Sequence, residues 1–282
     1  MSTFDPRITP ARADLAAAQL KGKVEAARYV DGTAHVITRG RIALHAQPST
    51  DAPLQTELLF GQTFVVYEQK NGWAWGQATF DSCVGYAHTI ACSQEPAAPS
   101  HRVAALATPL LPAPDTKRPA RDLLPMNACV EVQGSEKGFA RIGSLGFVFE
   151  GHLRPLAQVE PDWVAVAERF VGTPYVWGGR THVGLDCSGL LQTSLEASGR
   201  TAPRDTDLQE KTLGQAVDVL PELSNLRRGD LVFWNGHVGI MIDPARLLHA
   251  TSFHMQVAIE DLKEAVRRIE PFAGAVTSVR RL

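Results

Sequence analysis

The sequence predicts an α+β protein, with two repeated small all-β units followed by a mixed domain in which helices lead into an antiparallel sheet. Three observations predict it. From about residue 31 to 156, short apolar runs alternate with turn residues and helical stretches are few. One segment of that region recurs further along it. After Leu156 the pattern changes to two helical segments and then strands joined by tight turns.

Taken in order, residues 1–30 form a polar, irregular N-terminal segment with a short helix expected around Ala13–Leu20. The first β unit spans 31–96 and the second 97–157. Leu58–Tyr67 aligns with Leu123–Val132, Gly72-Trp73-Ala74 with Gly138-Phe139-Ala140, and Gly85-Tyr86 with Gly146-Phe147. Two copies of one β unit are the simplest cause of such ordered recurrence. The Pro-rich stretches Glu95–Pro99 and Pro109–Pro114 read as a linker and as a loop of the second copy.

The third region, 158–282, opens with Pro161–Val171. There Trp163, Val166, Ala167 and Phe170 share one helical face, and Gly172-Thr173-Pro174 ends the helix. Cys187–Ser198 is a second helix, closed by Gly199. Leu231–Trp234, His237–Ile242 and Leu247–Ala250 follow as strands, turned at Asn235-Gly236 and Asp243-Pro244.

The chain has 282 residues, 44% hydrophobic and 21% charged, with a formal net charge of −2. That near-neutral balance gives no footprint for nucleic acid or an anionic membrane as partner. No apolar run is long enough to span a bilayer, and the N-terminus lacks the basic start and apolar core of a secretory signal, so a cytoplasmic location is expected. The four cysteines, Cys83, Cys92, Cys129 and Cys187, form no CxxC pair and no metal-like spacing with histidine. Free cysteine ordinarily packs as a small buried hydrophobe, the reading adopted for the first three.

Cys187 differs because it begins a helix, within Gly184-Leu185-Asp186-Cys187-Ser188-Gly189. The unpaired N–H groups and positive dipole end there favour a thiolate. Its base should be a histidine distant in sequence. His237 is one imidazole on an otherwise apolar strand, and His249 on the next strand could orient its ring. Asp186, beside the nucleophile, would raise the thiol pKa if ionised, and is read as a structural or substrate-side residue rather than an acid catalyst. Trp177 reads as a core aromatic, whereas the Tyr175 hydroxyl needs a partner. His152 and His254 read as surface or loop residues.

These residues resemble the NlpC-type cell-wall peptidases, a papain-like group. The resemblance rests on Pro174–Gly179 (PYVWGG), Asp186–Gly189 (DCSG), Arg228–Phe233 (RGDLVF), His237–Ile240 (HVGI) and His249-Ala250, in that order over about residues 160–270. Residues 34–156 resemble bacterial SH3-like domains. The resemblance implies two SH3-like barrels followed by a papain-like catalytic domain, with Cys187 as nucleophile, His237 as base and His249 as orienting residue. It places Tyr175 beside the nucleophile, and Asp186 and Ser188 join the implied substrate-binding set.

A subgroup with the same domain order consists of γ-D-glutamyl-L-diamino acid endopeptidases that recycle murein peptides. Within Pro203–Gln209 it implies that Asp205, followed by Thr206, holds the free amino group of an L-Ala-terminated peptide. Asp205 could equally be a plain helix N-cap. Glu57 and Tyr86 align with a wall contributed by the first SH3-like domain. No metal or organic cofactor is implied, and a small murein peptide is the expected partner. An amidase or acyltransferase using the same residues, or a non-catalytic wall-binding protein, are the rival readings.

Overall fold

The computed structural model describes residues 4–94, 98–218, 220 and 223–282. Glu95, Pro96 and Ala97 of the expected linker lie outside the described residues. The chain divides into two units, Met1–Gln158 and Val159–Leu282.

The N-terminal stretch holds no α-helix at Ala13–Leu20. Ala16–Ala17 forms a two-residue strand beside Tyr29–Val30, and Ala18–Leu20 is a single 3-10 turn. Leu15 instead plugs a small core with Trp75 and Val84. A seven-stranded sheet follows. Its order is Leu54–Leu59, Arg41–His45, Val84–His88, Trp73–Ala78, Thr63–Lys70, Thr33–Ile37 and Cys92–Ser93. Irregular register at Leu44/His45 and Val66/Glu68 bends it over a core that includes Leu44, Leu58, Phe64 and Cys83.

From 98 to 157 the strands are two to four residues long and fall into three small sheets. Among the described residues no closed barrel forms, so the expectation of two barrels is met only as two β regions. Pro109 belongs to the strand Ala107–Leu110 rather than a loop. Among the described residues that strand pairs only with Asp122–Pro125, so an edge accommodates the missing N–H.

The repeat is visible in backbone geometry, with one shift from the sequence alignment. Gly61 (φ 79°) corresponds to Asn127 (φ 68°), one residue later than aligned, and Gly72 matches Gly138 at φ 80° in both. Both pairs now have the same separation. The shift puts Phe64 opposite Val130, each buried in its own core.

In the second unit, α1 (Trp163–Glu168) is shorter than predicted. Asp162 caps it by accepting from the N–H groups of Val164 and Ala165, and Gly172 follows with φ 84°. Three further helices are α2 (Cys187–Ala197), α3 (Thr206–Thr212) and α4 (Leu262–Ala273). The sheet has six antiparallel strands, ordered Gln215–Ala216, Ser278–Arg281, Asp230–Trp234, His237–Met241, Arg246–Thr251 and Gln256–Asp261. Asn235-Gly236 makes the two-residue turn, with Gly236 at φ 75°, and Asp243 closes the next turn by accepting from the N–H groups of Ala245 and Arg246.

Strand alternation splits this sheet into two faces. Val232, Trp234, Met241 and Leu247 form one core with Leu262, Ala265 and Ile269 of α4. α2 packs on the His237–Met241 and Arg246–Thr251 strands and buries Leu190, Leu191 and Leu195. Because α2 carries Cys187 and those two strands carry the histidines, this packing positions the site. Leu195→Ala should cost about 2–5 kcal/mol through the cavity it leaves. The expected result is a lower urea midpoint at an unchanged m-value.

Candidate active site

Cys187 is the first residue of α2, and Asp186 is its N-cap. Oδ1 of Asp186 accepts from the Gly189 N–H at 2.8 Å, and Oδ2 accepts from the Gly178 N–H at 2.7 Å. One carboxylate therefore joins the first turn of the helix to the Pro174–Gly179 loop. The two backbones run so close that a Cβ on Gly189 would collide with the Gly179 carbonyl oxygen.

Arg204, 2% exposed, clamps the same carboxylate from the far side. Its Nη1 donates to Asp186 Oδ1 (2.9 Å) and Ser188 Oγ (2.7 Å), and its Nη2 donates to Asp186 Oδ2 (2.7 Å). Asp186 and Ser188 are both buried and engaged in this network. The N-cap geometry turns both side chains inward, which fits the structural alternative read for Asp186.

His237 opens its strand, and its Nε2 lies 2.8 Å from Nδ1 of His249. His249 is fully buried, and its Nε2 is 2.5 Å from Oε1 of Glu260. Arg268 of α4 also donates to Glu260 Oε1, and His254 Nε2 is 3.6 Å from the same oxygen. His254 is an exposed turn residue, as read from the sequence, and its ring lies near this site. Glu260 was not among the sequence candidates. It lies diagonally across from His249, since His249 pairs with Ala258 and Leu247 with Glu260. The signal would have been parity with His249, had the strand Gln256–Asp261 been predicted.

The Cys187 thiol accepts from the Val238 N–H, one residue past His237. Burial pushes the thiol up to about 12. The Asp186 charge adds to this, and the N–H groups of Val238 and Ser188 and the Arg204 charge oppose it. Burial likewise pushes His237 down to about 3, helped by its neighbour His249, while Glu260 pulls the other way. His249 is lowered too, by burial against the pull of Glu260. Burial thus opposes the thiolate that the helix start favours.

Tyr175 is half-buried, held by its N–H to the Met255 carbonyl at 2.9 Å and by a parallel bridge to Leu185. Its phenol is raised to about 12 by burial and then by the charges of Cys187 and Asp186, which places it in their neighbourhood. Trp177, expected in the core, is 66% exposed, because the chain turns at Gly178 (φ 77°) to meet Asp186. Asp205 is at the N-cap position of α3, yet its side chain makes no capping bond, and Thr206 is the helix's first residue.

Glu57 and Tyr86 lie on the two strands that flank Arg41–His45, Glu57 opposite Ala43 and Tyr86 opposite His45. Glu57 is 3% exposed and ion-paired with Arg41. The Tyr86 hydroxyl accepts from Nη1 of Arg12 at 2.9 Å, and that guanidinium also lies over Trp75. Of the cysteines read as inert, Cys83 is buried in the core, and burial pushes Cys92 up to about 11.

Comparison with known proteins fits these features. Residues 172–270 match the NlpC/P60 family, and residues 44–89 match the bacterial dipeptidyl-peptidase Sh3 domain. The gamma-D-glutamyl-L-lysine dipeptidyl-peptidase of Bacillus subtilis (strain 168) is 28% identical over 145 residues, 46% of this chain and 47% of that protein. Its Bacillus cereus (strain ATCC 10987 / NRS 248) namesake is 33% identical over 122 residues, 40% and 35% of the two chains. A probable endopeptidase NlpC homolog of Haemophilus influenzae (strain ATCC 51907 / DSM 11121 / KW20 / Rd) is 37% identical over 102 residues, 35% and 49%. The matches thus span less than half the length of these relatives. The crystal structure of an NlpC/P60 family protein from Bacillus cereus ATCC 10987 has the same fold. Its TM-score is 0.73 at 19% identity, covering 88% of this chain and 99% of that one. This chain carries an NlpC/P60 domain and, before it, a bacterial SH3 domain.

Two outcomes follow from the buried charges. Arg204→Met leaves the Asp186 carboxylate buried without its partner and should cost about 3–5 kcal/mol in urea unfolding, with part recovered in the Arg204→Met/Asp186→Asn double variant. The lowered histidines set a pH dependence. Between about 3 and 6.5 the unfolded chain binds a proton at residue 237 that the folded chain excludes, so folding stability rises with pH through that window. Acidification from pH 7 to pH 5 should lower the urea midpoint, and His237→Gln should weaken that dependence.

Proposed function

We propose that the chain is a cysteine peptidase that hydrolyses the γ-D-Glu to diamino acid bond of murein peptides carrying a free N-terminal L-Ala. The observation that carries the reading is the buried Cys187 thiol at the start of α2, bonded to the Val238 N–H beside the His237–His249 pair, inside an NlpC/P60 domain. The names of the two Bacillus relatives support the bond type.

In this reading the Cys187 sulfur attacks the γ-carbonyl carbon of D-Glu while the thiol proton passes to His237. The backbone N–H of Cys187, at the helix start, suits the oxyanion that develops. The C–N bond breaks and the diamino acid's amine leaves with the proton from His237. Water then attacks the thioester and returns its proton through His237 to sulfur. Tyr175 lines the approach to the thiol. No step calls for a metal or organic cofactor.

Asp205 is the residue proposed to hold the substrate's ammonium, on its place at the start of α3 within the segment Pro203–Gln209. A fixed carboxylate favours a charged amine and leaves an acylated one without a partner. We further read residues 98–157 as a second SH3-like unit, on the shared turn geometry, and the peptides as released wall fragments in the cytoplasm. An amidase or acyltransferase would form the same thioester and differ in the bond chosen or in what captures it.

The test is L-Ala-γ-D-Glu-diaminopimelate incubated with the wild-type chain and with Cys187→Ala, with products followed by mass spectrometry. Release of L-Ala-D-Glu by the wild type alone is expected, and intact peptide with both proteins would sink the reading. N-acetylating the L-Ala should lower kcat/KM at least tenfold, the size of one lost charge-assisted bond of about 1.5–3 kcal/mol. Equal rates on both peptides would remove Asp205 from the substrate site.

A further inference from the structure

We propose that Glu260 is a positioning residue of this site, one that fixes the tautomers of both imidazoles and so leaves the correct nitrogen of His237 free to take the thiol proton. The proposal rests on reading Cys187, His237 and His249 as a reactive set.

The argument is one of donors and acceptors. Glu260 Oε1 lies 2.5 Å from His249 Nε2, and a carboxylate only accepts, so the His249 proton sits on Nε2. Neutral His249 then presents a bare Nδ1, and the 2.8 Å contact makes His237 Nε2 the donor to it. Neutral His237 is left with a bare Nδ1, which alone can accept from Cys187. Reversing the chain puts a proton on His249 Nδ1, makes His237 Nε2 the acceptor and places a hydrogen on His237 Nδ1. In that arrangement the base has no lone pair for the thiol. Two imidazoles by themselves select neither arrangement, whereas an ionised carboxylate behind them selects the first.

The surroundings keep Glu260 ionised and still. Burial, the largest single influence, pushes its carboxyl up, but His249 and Arg268 together outweigh it and hold it below the usual range. Arg268 comes from α4, and its guanidinium also lies 4.3 Å from the centre of the Phe253 ring. Asp261, next to Glu260, caps α4 through the N–H groups of Lys263 and Glu264, so strand end and helix start are one rigid corner. The groups facing the relay are Glu260 from its strand, His254 from the preceding turn and Arg268 from α4. On the nucleophile's side stand Cys187, Asp186 and Arg204.

The experiment uses the full chain and needs no peptide. Glu260→Gln, Glu260→Asp and Arg268→Met are compared with wild type by long-range 15N–1H spectra of the imidazoles. The rate of Cys187 alkylation by iodoacetamide at pH 7 is read by mass spectrometry. Glu260→Gln is expected to give mixed or reversed tautomers at His237 and His249 and to slow alkylation at least tenfold, with Glu260→Asp restoring both in part. Arg268→Met should keep the wild-type tautomers and shift the imidazole titrations upward, opposite in sign to Glu260→Gln, because it removes a cation instead of an anion.

Wild-type tautomers in Glu260→Gln, with alkylation within twofold of wild type, would overturn the proposal. So would an Arg268→Met variant that loses reactivity equally with its tautomers unchanged, since the ion pair would then serve only to fasten strand to helix. If the wild type alkylates and the tautomers respond as expected but murein peptide stays intact, the substrate reading fails and this one stands.

Discussion

The site depends on how one carboxylate is held. Asp186 caps α2, pins the Gly178 N–H and receives both arms of Arg204, so a single group fixes the helix of the proposed nucleophile, the loop bearing Tyr175 and the segment leading to α3. The same group works against the chemistry, because its charge beside the thiol disfavours a thiolate. Arg204 limits that damage: its charge lowers the thiol's pKa while its fork satisfies the carboxylate oxygens. The structure thus accepts a buried ion pair, costly to desolvate, where an apolar contact could not give the same directional hold on two backbone N–H groups.

What was legible in the sequence follows from how local each signal is. Cys187 was legible because the surrounding glycines mark a helix start, and His237 because an imidazole interrupts an apolar strand. The role of Asp186 was left between structural and substrate-side, because Asp186 and Ser188 flank Cys187 in sequence while their partner Arg204 stands well along the chain, and only folding shows that they face it. Trp177 was placed in the core on its chemistry, and a positive φ at Gly178 turned it out. Glu260 was invisible for another reason. Its strand has Ile259 38% exposed, so apolar alternation, the usual mark of a strand, is weak there. The β regions show the same limit, since the repeat was legible but its register was not. Turn geometry, with Gly61 matching Asn127, decided what residue types alone left one position out.

Burial sets the terms on which the reactive groups work. Desolvation pushes both Cys187 and His237 toward their neutral forms. The proposed transfer from Cys187 to His237 creates two charges at once, a thiolate and an imidazolium, and the low-polarity surroundings that penalise each one separately strengthen their attraction. Behind the imidazolium, His249 offers a bare nitrogen and Glu260 a full negative charge, whereas Arg268 weakens that charge from the helix side. A stronger carboxylate would hold a proton on the histidines at rest and take away the base. With none, the imidazolium would form beside a second imidazole of undefined orientation. The Glu260–Arg268 pair sits between these extremes, with enough negative charge to orient the relay and too little to protonate it.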